Sequence, residues 1–337
     1  MNIGEIASRA GVSRSTVSYA LSGKRAVSDA TRRRILRVIA EAGYRPNASA
    51  RALAEGRTRT IALVIPPAGP RLTTIQLGFV ASIVAAAGRH ELDVLLSPSG
   101  GEHDRSFERI VAGRRVDGVI LMEVRMRDPR ATRLRESGLP FVAIGHTADG
   151  GTGCWVDLDY EGLVASCVHH LADLGHQTIA LVNRPQEFLE LGYGPARRAL
   201  DGFVAAVAAR GLTRIAVCCA DEAMAGETCV EDLLTTHPEV TGLVTVNEAA
   251  LPGMERGLRR LGRAVPGGFS VTGVVGRHWA EGFHPPLTAA DVPIAAMADR
   301  AVELLAERIS APGAPAGHVL LSPPISLRAS TAPPARR

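Results

Sequence analysis

Ile6-Ala7-Ser8-Arg9-Ala10-Gly11-Val12-Ser13-Arg14-Ser15-Thr16-Val17-Ser18-Tyr19-Ala20-Leu21 (residues 6–21) decides how the chain begins. Ile3, Ile6, Ala7 and Ala10 fall at i, i+3, i+4 and i+7, which is one apolar face of a short helix that stops at Gly11. Ser13 stands where an N-cap belongs. A second helix is predicted from Arg14 to about Leu21, with Val17, Ala20 and Leu21 turned inward and Arg14, Ser15, Ser18 and Tyr19 outward. Two short helices joined by a glycine-containing turn form a helix-turn-helix, whose second helix enters the DNA major groove by its N-terminal end. A third helix is predicted from the cap Ser28-Asp29. It packs Ile35, Val38, Ile39 and Ala42 on the first two, ends at Gly43, and carries Arg32-Arg33-Arg34 and Arg37 on its outer face.

Charge supports a nucleic-acid partner for this end. Residues 1–60 hold 12 Lys/Arg against 4 Asp/Glu, or +8; the chain as a whole is +4, so residues 61–337 sum to 26 − 30 = −4. Basic charge gathered in one small terminal module is the electrostatic footprint of a DNA reader. The 337 residues, 46% hydrophobic and 21% charged, predict two or three globular domains. No uncharged apolar run approaches the roughly 18 residues of a membrane span. The opening residues, with Glu5 and no basic leader ahead of an apolar stretch, do not read as a signal peptide. The five cysteines (Cys154, Cys167, Cys218, Cys219, Cys229) are expected as reduced thiols in the cytoplasm, and none forms a C-x-x-C pair.

From Thr60 the pattern becomes apolar strands alternating with amphipathic helices. The strands read as Ile61–Ile65, Val94–Leu96, Val119–Met122, Phe141–Ile144, Ile179–Val182, Ile215–Cys218, Leu243–Val246 and Val271–Val275. Helices such as Leu77–Arg89, Leu163–Leu174, Phe203–Arg210 and Met254–Leu261 fall between them. Nearly continuous apolar strands with intervening helices predict doubly wound parallel sheets, divided into two halves near residue 160. Ligands of such sheets bind beyond the strand C-termini, here in a cleft between the halves. An enzyme is not expected. Gly192-x-Gly194 lacks the third glycine of a dinucleotide fingerprint, there is no P-loop or Gly-x-Ser-x-Gly elbow, and His169, His170 and His176 have no acid or cysteine cluster to complete a metal site. No cofactor is expected.

The chain resembles the lactose-repressor/galactose-repressor (LacI/GalR) family of bacterial transcription regulators. The likeness is carried by Ile6-Ala7, Ala10-Gly11-Val12-Ser13, Thr16-Val17-Ser18, Leu21-Ser22-Gly23, Val27-Ser28, Thr31-Arg32, Gly43-Tyr44, Pro46-Asn47-Ala48 and Ala50-Arg51-Ala52-Leu53, and it continues through Arg57-Thr58 into Ile61–Pro66. The resemblance implies an α/β protein with an N-terminal all-α helix-turn-helix domain and a two-subdomain core like the periplasmic binding proteins. It implies base contacts from Arg14, Ser15 and Tyr19, and phosphate contacts from Asn2, Ser13, Thr16, Ser18 and Ser22. It further implies a hinge helix within Asn47–Glu55 that folds on operator DNA, with Asn47 and Ala50 in the minor groove and Leu53 as the wedge at the central base step. An exposed leucine on a short basic helix suits such unstacking.

The expected domains are a headpiece at 1–46, a hinge and linker at 47–59, a core at 60–328 and a disordered tail at 329–337. Within the core, the N-subdomain is expected at about 60–158 plus 288–318 and the C-subdomain at about 159–287 plus 319–328. Paired strands are expected near Val319–Leu321 and Ile325–Leu327. A proline-bearing tail without heptads argues for a homodimer rather than a tetramer. Candidate effector contacts are Asn247, Arg198, Gln76, Glu123, Arg125 and Tyr193, with His146 also just past a strand end. Relatives grip their ligand with an Asp after the strand ending near Val274 and with an Arg three residues before a Gly-aromatic pair; Val275 and Ala199 occupy those positions here. The expected partners are double-stranded operator DNA, a small-molecule effector such as a sugar or sugar derivative, and a second copy of the chain. The alternative is a DNA-binding regulator with a degenerate, ligand-independent pocket.

Overall fold

Three helices, α1 (Ile3–Ala10), α2 (Arg14–Ser22) and α3 (Asp29–Glu41), close around Ile6, Ala7, Ala10, Val17, Ala20 and Ile35. Asn2 caps α1 by accepting from the N–H groups of Gly4 and Glu5, and the Glu5 carboxylate accepts from the Asn2 N–H in return. Gly11 ends that helix at φ 62°, a left-handed conformation that costs glycine nothing. The Ser28 hydroxyl caps α3. Leu21, expected inward, is instead exposed, because Ala20 takes the buried position at the end of α2. The computed structural model describes residues 2–22, 25–43, 56–65, 72–98, 105–113, 115–150 and 153–335.

The core contains two six-stranded sheets. The first comprises β1 (Thr60–Ile65), β2 (Asp93–Pro98), β3 (Gly118–Leu121), β4 (Phe141–Ile144), β5 (Cys154–Leu158) and β11 (His318–Leu321), in the order β11-β5-β4-β3-β1-β2. The second comprises β6 (Thr178–Asn183), β7 (Thr213–Cys218), β8 (Gly242–Thr245), β9 (Ser270–Val275), β10 (Thr288–Asp291) and β12 (Ile325–Ser326), in the order β12-β10-β9-β8-β6-β7. Among the described residues, neighbouring strands run parallel except for β10 and β12. Apolar side chains on both faces of central strands such as β1, β3, β6, β8 and β9 explain the unbroken hydrophobic runs in the sequence, since helices cover both faces.

On the first sheet, α4 (Thr74–Arg89) and α13 (Ile294–Ser310) bury Phe79, Ile83, Met297, Ala301 and Leu305 on one face. The other face is covered by α5 (Arg105–Gly113) and α6 (Pro129–Ser137) through Phe107, Ile110 and Leu134. On the second sheet, α7 (Tyr160–Asp173) and α9 (Gly194–Ala209) bury Val164, Val168 and Phe203, while α10 (Ala223–Thr236) and α11 (Leu251–Arg260) bury Val230, Leu233, Met254 and Leu258; two short helices, α8 (Gln186–Glu190) and α12 (Arg277–Gly282), carry Phe188 and Trp279. The cluster containing Phe79 and Phe203 is continuous, so both halves share one stretch of apolar interior. Glycines let α10 and α11 cross closely: a Cβ at Gly253 would overlap the Ala223 carbonyl, and one at Gly226 the Ala250 carbonyl.

The structure corrects the expected course of the C-terminal third. Thr288–Asp291 pairs with β9, so the chain leaves the second half after Asp291 and not at residue 287. Ala289 and Ala290 are small and fully buried there, and two alanines gave no strand signal. His318–Leu321 pairs with β5, so residues 319–321 lie in the first sheet; the strands expected to pair with each other belong to different sheets. Nor is the tail loose over 329–335. Ser330 is fully buried, accepting from the Thr288 N–H at 2.8 Å and donating to the Val271 carbonyl at 2.6 Å. The Ala332 carbonyl accepts from Ser270 Oγ at 2.9 Å and lies 3.0 Å from His176 Nε2.

Candidate functional site

At the reading end, Ser13 caps α2 through the Thr16 N–H at 3.1 Å, and its Oγ lies 2.7 Å from Ser15 Oγ and 2.8 Å from Thr16 Oγ1. Arg14 and Ser15 are exposed at the start of that helix, and Ser18 and Tyr19 are half-buried one turn on. The Arg14 guanidinium rests against Gly4 of α1, and the Arg25 guanidinium stands 5.4 Å over the Tyr19 ring. The outer face of α2, where DNA contacts are expected, therefore has a cation at a helix N-terminus beside hydroxyls already arranged in a row. Asn2, expected to touch phosphate, is committed to capping α1. The Ser22 side chain and the expected hinge residues Asn47, Ala50 and Leu53 lie outside the described residues. Where the linker enters the core, the Asp117 carboxylate accepts from the Thr58 and Arg59 N–H groups at 2.7 Å each and from Thr58 Oγ1 at 2.9 Å.

The second candidate site is the cleft at the C-terminal edges of both sheets. The strand ends converge there, and the cavity is lined by Thr73 and Thr74 at the start of α4, Tyr160, Arg184, Asp221, Asn247, Glu248 and Trp279. Arg184 follows β6 directly. Its guanidinium lies 2.6 Å from the Asp221 carboxylate within the second half and 3.8 Å from Glu123 of the first. Glu123 in turn accepts from Gln76 Nε2 at 3.2 Å, and Gln76 Oε1 accepts from the Thr73 N–H. A line of charge and hydrogen bonds thus spans the cleft. Burial opposes the Arg184 charge, but Glu123 and Asp221 more than offset it and hold the guanidinium firmly protonated. Glu123 sits at φ 51°, a left-handed conformation costing a non-glycine residue about 1–3 kcal/mol, and the neighbouring Arg130 holds its carbonyl at 2.9 Å.

Polar capacity remains at the cavity. Asp221 Oδ1 is buried without a hydrogen-bond partner, and Trp279 Nε1 approaches Glu248 without meeting hydrogen-bond geometry. Burial raises the Glu248 carboxyl above the usual carboxylate range, against the Gly276 N–H that donates to it at 2.9 Å and the nearby Arg184. Burial likewise raises the Tyr160 hydroxyl. The site can offer an acceptor at Asp221, a donor at Trp279, and a carboxyl at Glu248 that gains a proton readily.

Of the expected effector contacts, Asn247 lines the cavity, but its side chain is occupied. It donates to the Cys219 carbonyl at 2.8 Å and accepts from the Ala250 N–H at 3.2 Å. Gln76 and Glu123 stand in the line across the cleft. Arg125, Tyr193, Arg198 and His146 form a second contact between the halves. Arg125 lies over the Tyr193 ring at 5.6 Å, and Arg198 reaches the His146 carbonyl at 2.8 Å and Asp157 at 3.3 Å. His146 Nδ1 is 2.7 Å from the same Asp157 carboxylate. Ala199 and Val275, at the positions where the resemblance led a ligand-gripping Arg and Asp to be expected, are buried apolar residues. Arg184, Asp221, Tyr160 and Trp279 were missed by sequence reading. For Arg184 and Asp221 the signal was present, since each lies just past the end of a predicted strand.

A basic helix-turn-helix ahead of two doubly wound halves that enclose a polar cleft defines a DNA reader joined to a binding-protein-like core. Comparison with known proteins agrees. Residues 2–47 match the family described as bacterial regulatory proteins, lacI family, and residues 168–331 match the periplasmic binding protein-like domain. The transcriptional regulator CelR of Thermobifida fusca is 31% identical over 90% of this chain and 91% of its own length. AglR of Rhizobium meliloti is 36% identical over 63% of this chain, which spans 59% of that regulator. A solved CelR–cellobiose complex is 28% identical with a TM-score of 0.71, covering 98% of this chain and 99% of that one. The lac repressor dimer bound to operator and the anti-inducer ONPF, at 24% identity, shares the fold with a TM-score of 0.85 over 98% and 99%. The chain belongs to the LacI family of transcriptional regulators, and these relatives are regulators, not enzymes.

Proposed function

We infer that this regulator is a dimeric, ligand-responsive repressor that binds a pseudopalindromic operator in the cytoplasm, with paired hinge helices inserting Leu53 in the minor groove. An effector in the inter-subdomain cleft sets operator affinity. The observation carrying this reading is the union, in one chain, of the basic α2 face with a cleft whose two halves are bridged through Gln76, Glu123, Arg184 and Asp221. A ligand entering there changes the relation of the halves, and it shifts the operator equilibrium only by its differential affinity for the two states. The cellobiose complex of CelR supports a sugar or sugar derivative as effector. Unpaired acceptor and donor atoms at Asp221 and Trp279 suit a hydroxyl, which can serve either.

A second copy has a surface to meet. Helix α4 carries a single charge, Arg89, and its outer face presents Leu77 and Val84 at 53% and 49% exposure; the edge strand β2 also exposes Leu95 and Leu96, one on each of its faces. A helix apolar all round belongs in an interior, here one completed by a partner. The proposed units are a headpiece to residue 46, a hinge and linker at 47–59, and a core from residue 60 with the crossovers found above.

Selection of bound duplexes from a random pool by the full chain tests this. A recovered pseudopalindrome with a fixed central step is the expected result; enrichment of single half-sites, or of nothing even with cell metabolites present, refutes it. The buried apolar Ala199 and Val275 favour one alternative, a regulator whose pocket is ligand-independent. A thermal-shift screen over sugars separates the two, because a ligand at a hundredfold excess over its Kd stabilises by about 2.7 kcal/mol.

A further inference from the structure

Strands β9, β8, β6 and β7 are successive neighbours in the second sheet, and the segments beyond their C-terminal ends bring four side chains to the cavity in that order. Trp279 follows β9, Glu248 follows β8, Arg184 follows β6 and Asp221 follows β7. Glu123 of the first half approaches Arg184 at 3.8 Å from across the cleft. Among the described residues, Arg184 is the only cation that lines this cavity. It is already committed, to Asp221 at 2.6 Å and to Glu123. Glu248 is held instead by a neutral donor, the Gly276 N–H at 2.9 Å, and Asp221 Oδ1 is buried without a partner.

The row therefore holds more acid than base, and buried charges persist only when they are paired. A proton relieves part of the excess. Burial raises the Glu248 carboxyl, the Gly276 N–H and Arg184 oppose the rise, and Asp221 adds to it; Trp279 of α12 and Tyr160 of α7 are the other groups that face this acid. Trp279 and Tyr160 also line the cavity, and aromatic rings attract an ammonium group over their faces. A sugar phosphate would meet carboxylates where it needs a free cation. A neutral sugar could bond Asp221 Oδ1 and Trp279 Nε1 through its hydroxyls, but it would leave the excess of acid unchanged.

We propose that the effector is an amino sugar, whose ammonium group is held by Glu248 and Asp221 beside Trp279 while its hydroxyls take up the remaining polar groups of the cleft. This rests on the reading of the cleft as the effector site. An ammonium group brings three donors, so one can reach Asp221 Oδ1 and another the Glu248 carboxylate. Hydrogen bonds between two charged partners are about twice as strong as neutral ones. On binding, Glu248 gives its proton to the buffer and takes the ammonium as its partner.

The test is isothermal titration of the full chain with matched ligands, just below neutral pH where the amines are charged. Glucosamine and galactosamine are compared with their parent hexoses and their N-acetyl derivatives, and the glucosamine dimer with cellobiose. At least one amino sugar should bind about tenfold or more tightly than its parent. N-acetylation, which keeps the ring and removes the charge, should abolish that preference. The binding heat should vary with the ionisation enthalpy of the buffer, in the sense of proton release. Glu248→Gln, which keeps an acceptor for the Gly276 N–H, should remove both the preference and the proton release. If that variant melts early, the wild-type comparison with the N-acetyl series decides. A parent sugar that binds as tightly as its amine overturns the proposal and leaves the cleft as a sugar site. An amine preference that survives Glu248→Gln overturns the part given to that carboxylate. Binding by none of these ligands overturns the amino-sugar assignment, and the thermal-shift screen over sugars then shows separately whether the cleft binds at all.

Discussion

Replacing Arg184 by Met tests the line of charge across the cleft most directly. Met keeps an apolar stem against the Phe188 ring, over which the guanidinium now stands at 4.6 Å, and removes only the cation. Asp221 and Glu123, 15% and 10% exposed, are then left facing an apolar group. At an effective dielectric of 20, each charge pair at about 4 Å carries about 4 kcal/mol of attraction, most of it spent on desolvating the guanidinium. Breaking a fully buried pair costs about 3–5 kcal/mol because the surviving charge is stranded. Residual exposure and the long 3.8 Å approach to Glu123 reduce this to about 2–3 kcal/mol. In thermal unfolding at pH 7.5, the variant should melt about 4–12 °C lower, taking about 2–4 °C per kcal/mol. Arg184→Met/Asp221→Asn should recover at least half of the loss, since the amide strands no charge. A single-variant loss below about 1 kcal/mol, or a double variant no more stable than the single, would falsify the argument that burial makes this pair consequential.

Three other outcomes are expected. Arg14→Ala should relax base preference at one G·C position per half-site, worth about 1–3 kcal/mol, in a duplex-binding array; uniform weakening across sequences would make Arg14 a phosphate contact instead. His176 and His170 both titrate below the ordinary histidine value of 6.5, chiefly through burial, so the native state favours their neutral forms. The unfolded chain takes up protons first as pH drops below 6.5, and stability should fall through that window, level off below the folded values, and be fully present above it. Urea titrations across pH should show this slope, and His176→Gln should flatten it. Gly253→Ala should destabilise the second half by about 1–3 kcal/mol in the same assay, because its Cβ meets the Ala223 backbone, which has no flexible end to yield.

Local grammar made the headpiece readable. Gly11, Ser13 and Ser28 are stop and start signals that act within a few residues, and the structure uses all three. The parallel strands were legible as apolar runs because both of their faces are covered. Two strands escaped for physical reasons. Cys154–Leu158 carries Asp157, a carboxylate that interrupts the apolar run because it serves His146 and Arg198, and Thr288–Asp291 is built on alanines. The tail, rich in proline and small polar residues, read as disordered, yet the Ser330 hydroxyl answers two backbone groups of the second sheet. The cleft charges were the least legible part. Arg184 and Asp221 are 37 residues apart and bear no periodic relation to Glu123, so only the converging strand ends bring them together.

The place of β11 has a consequence for biosynthesis. The first sheet has its strands β1–β5 by residue 158, but the strand that covers β5 ends at residue 321, and α13, which covers one face, is made only shortly before. At about 5–20 residues per second, the ribosome needs roughly 8–30 s to supply the 163 residues between them (321 − 158). Through that interval the nascent first half presents an open strand edge and an apolar face that α4 covers only in part, the surfaces on which chains mispair. The three helices of the headpiece, the last ending at Glu41, are under no such delay. Trigger-factor-type chaperones should therefore engage nascent chains of this protein mainly between residues 158 and 321, and truncations ending in that interval should aggregate where the headpiece alone stays in solution.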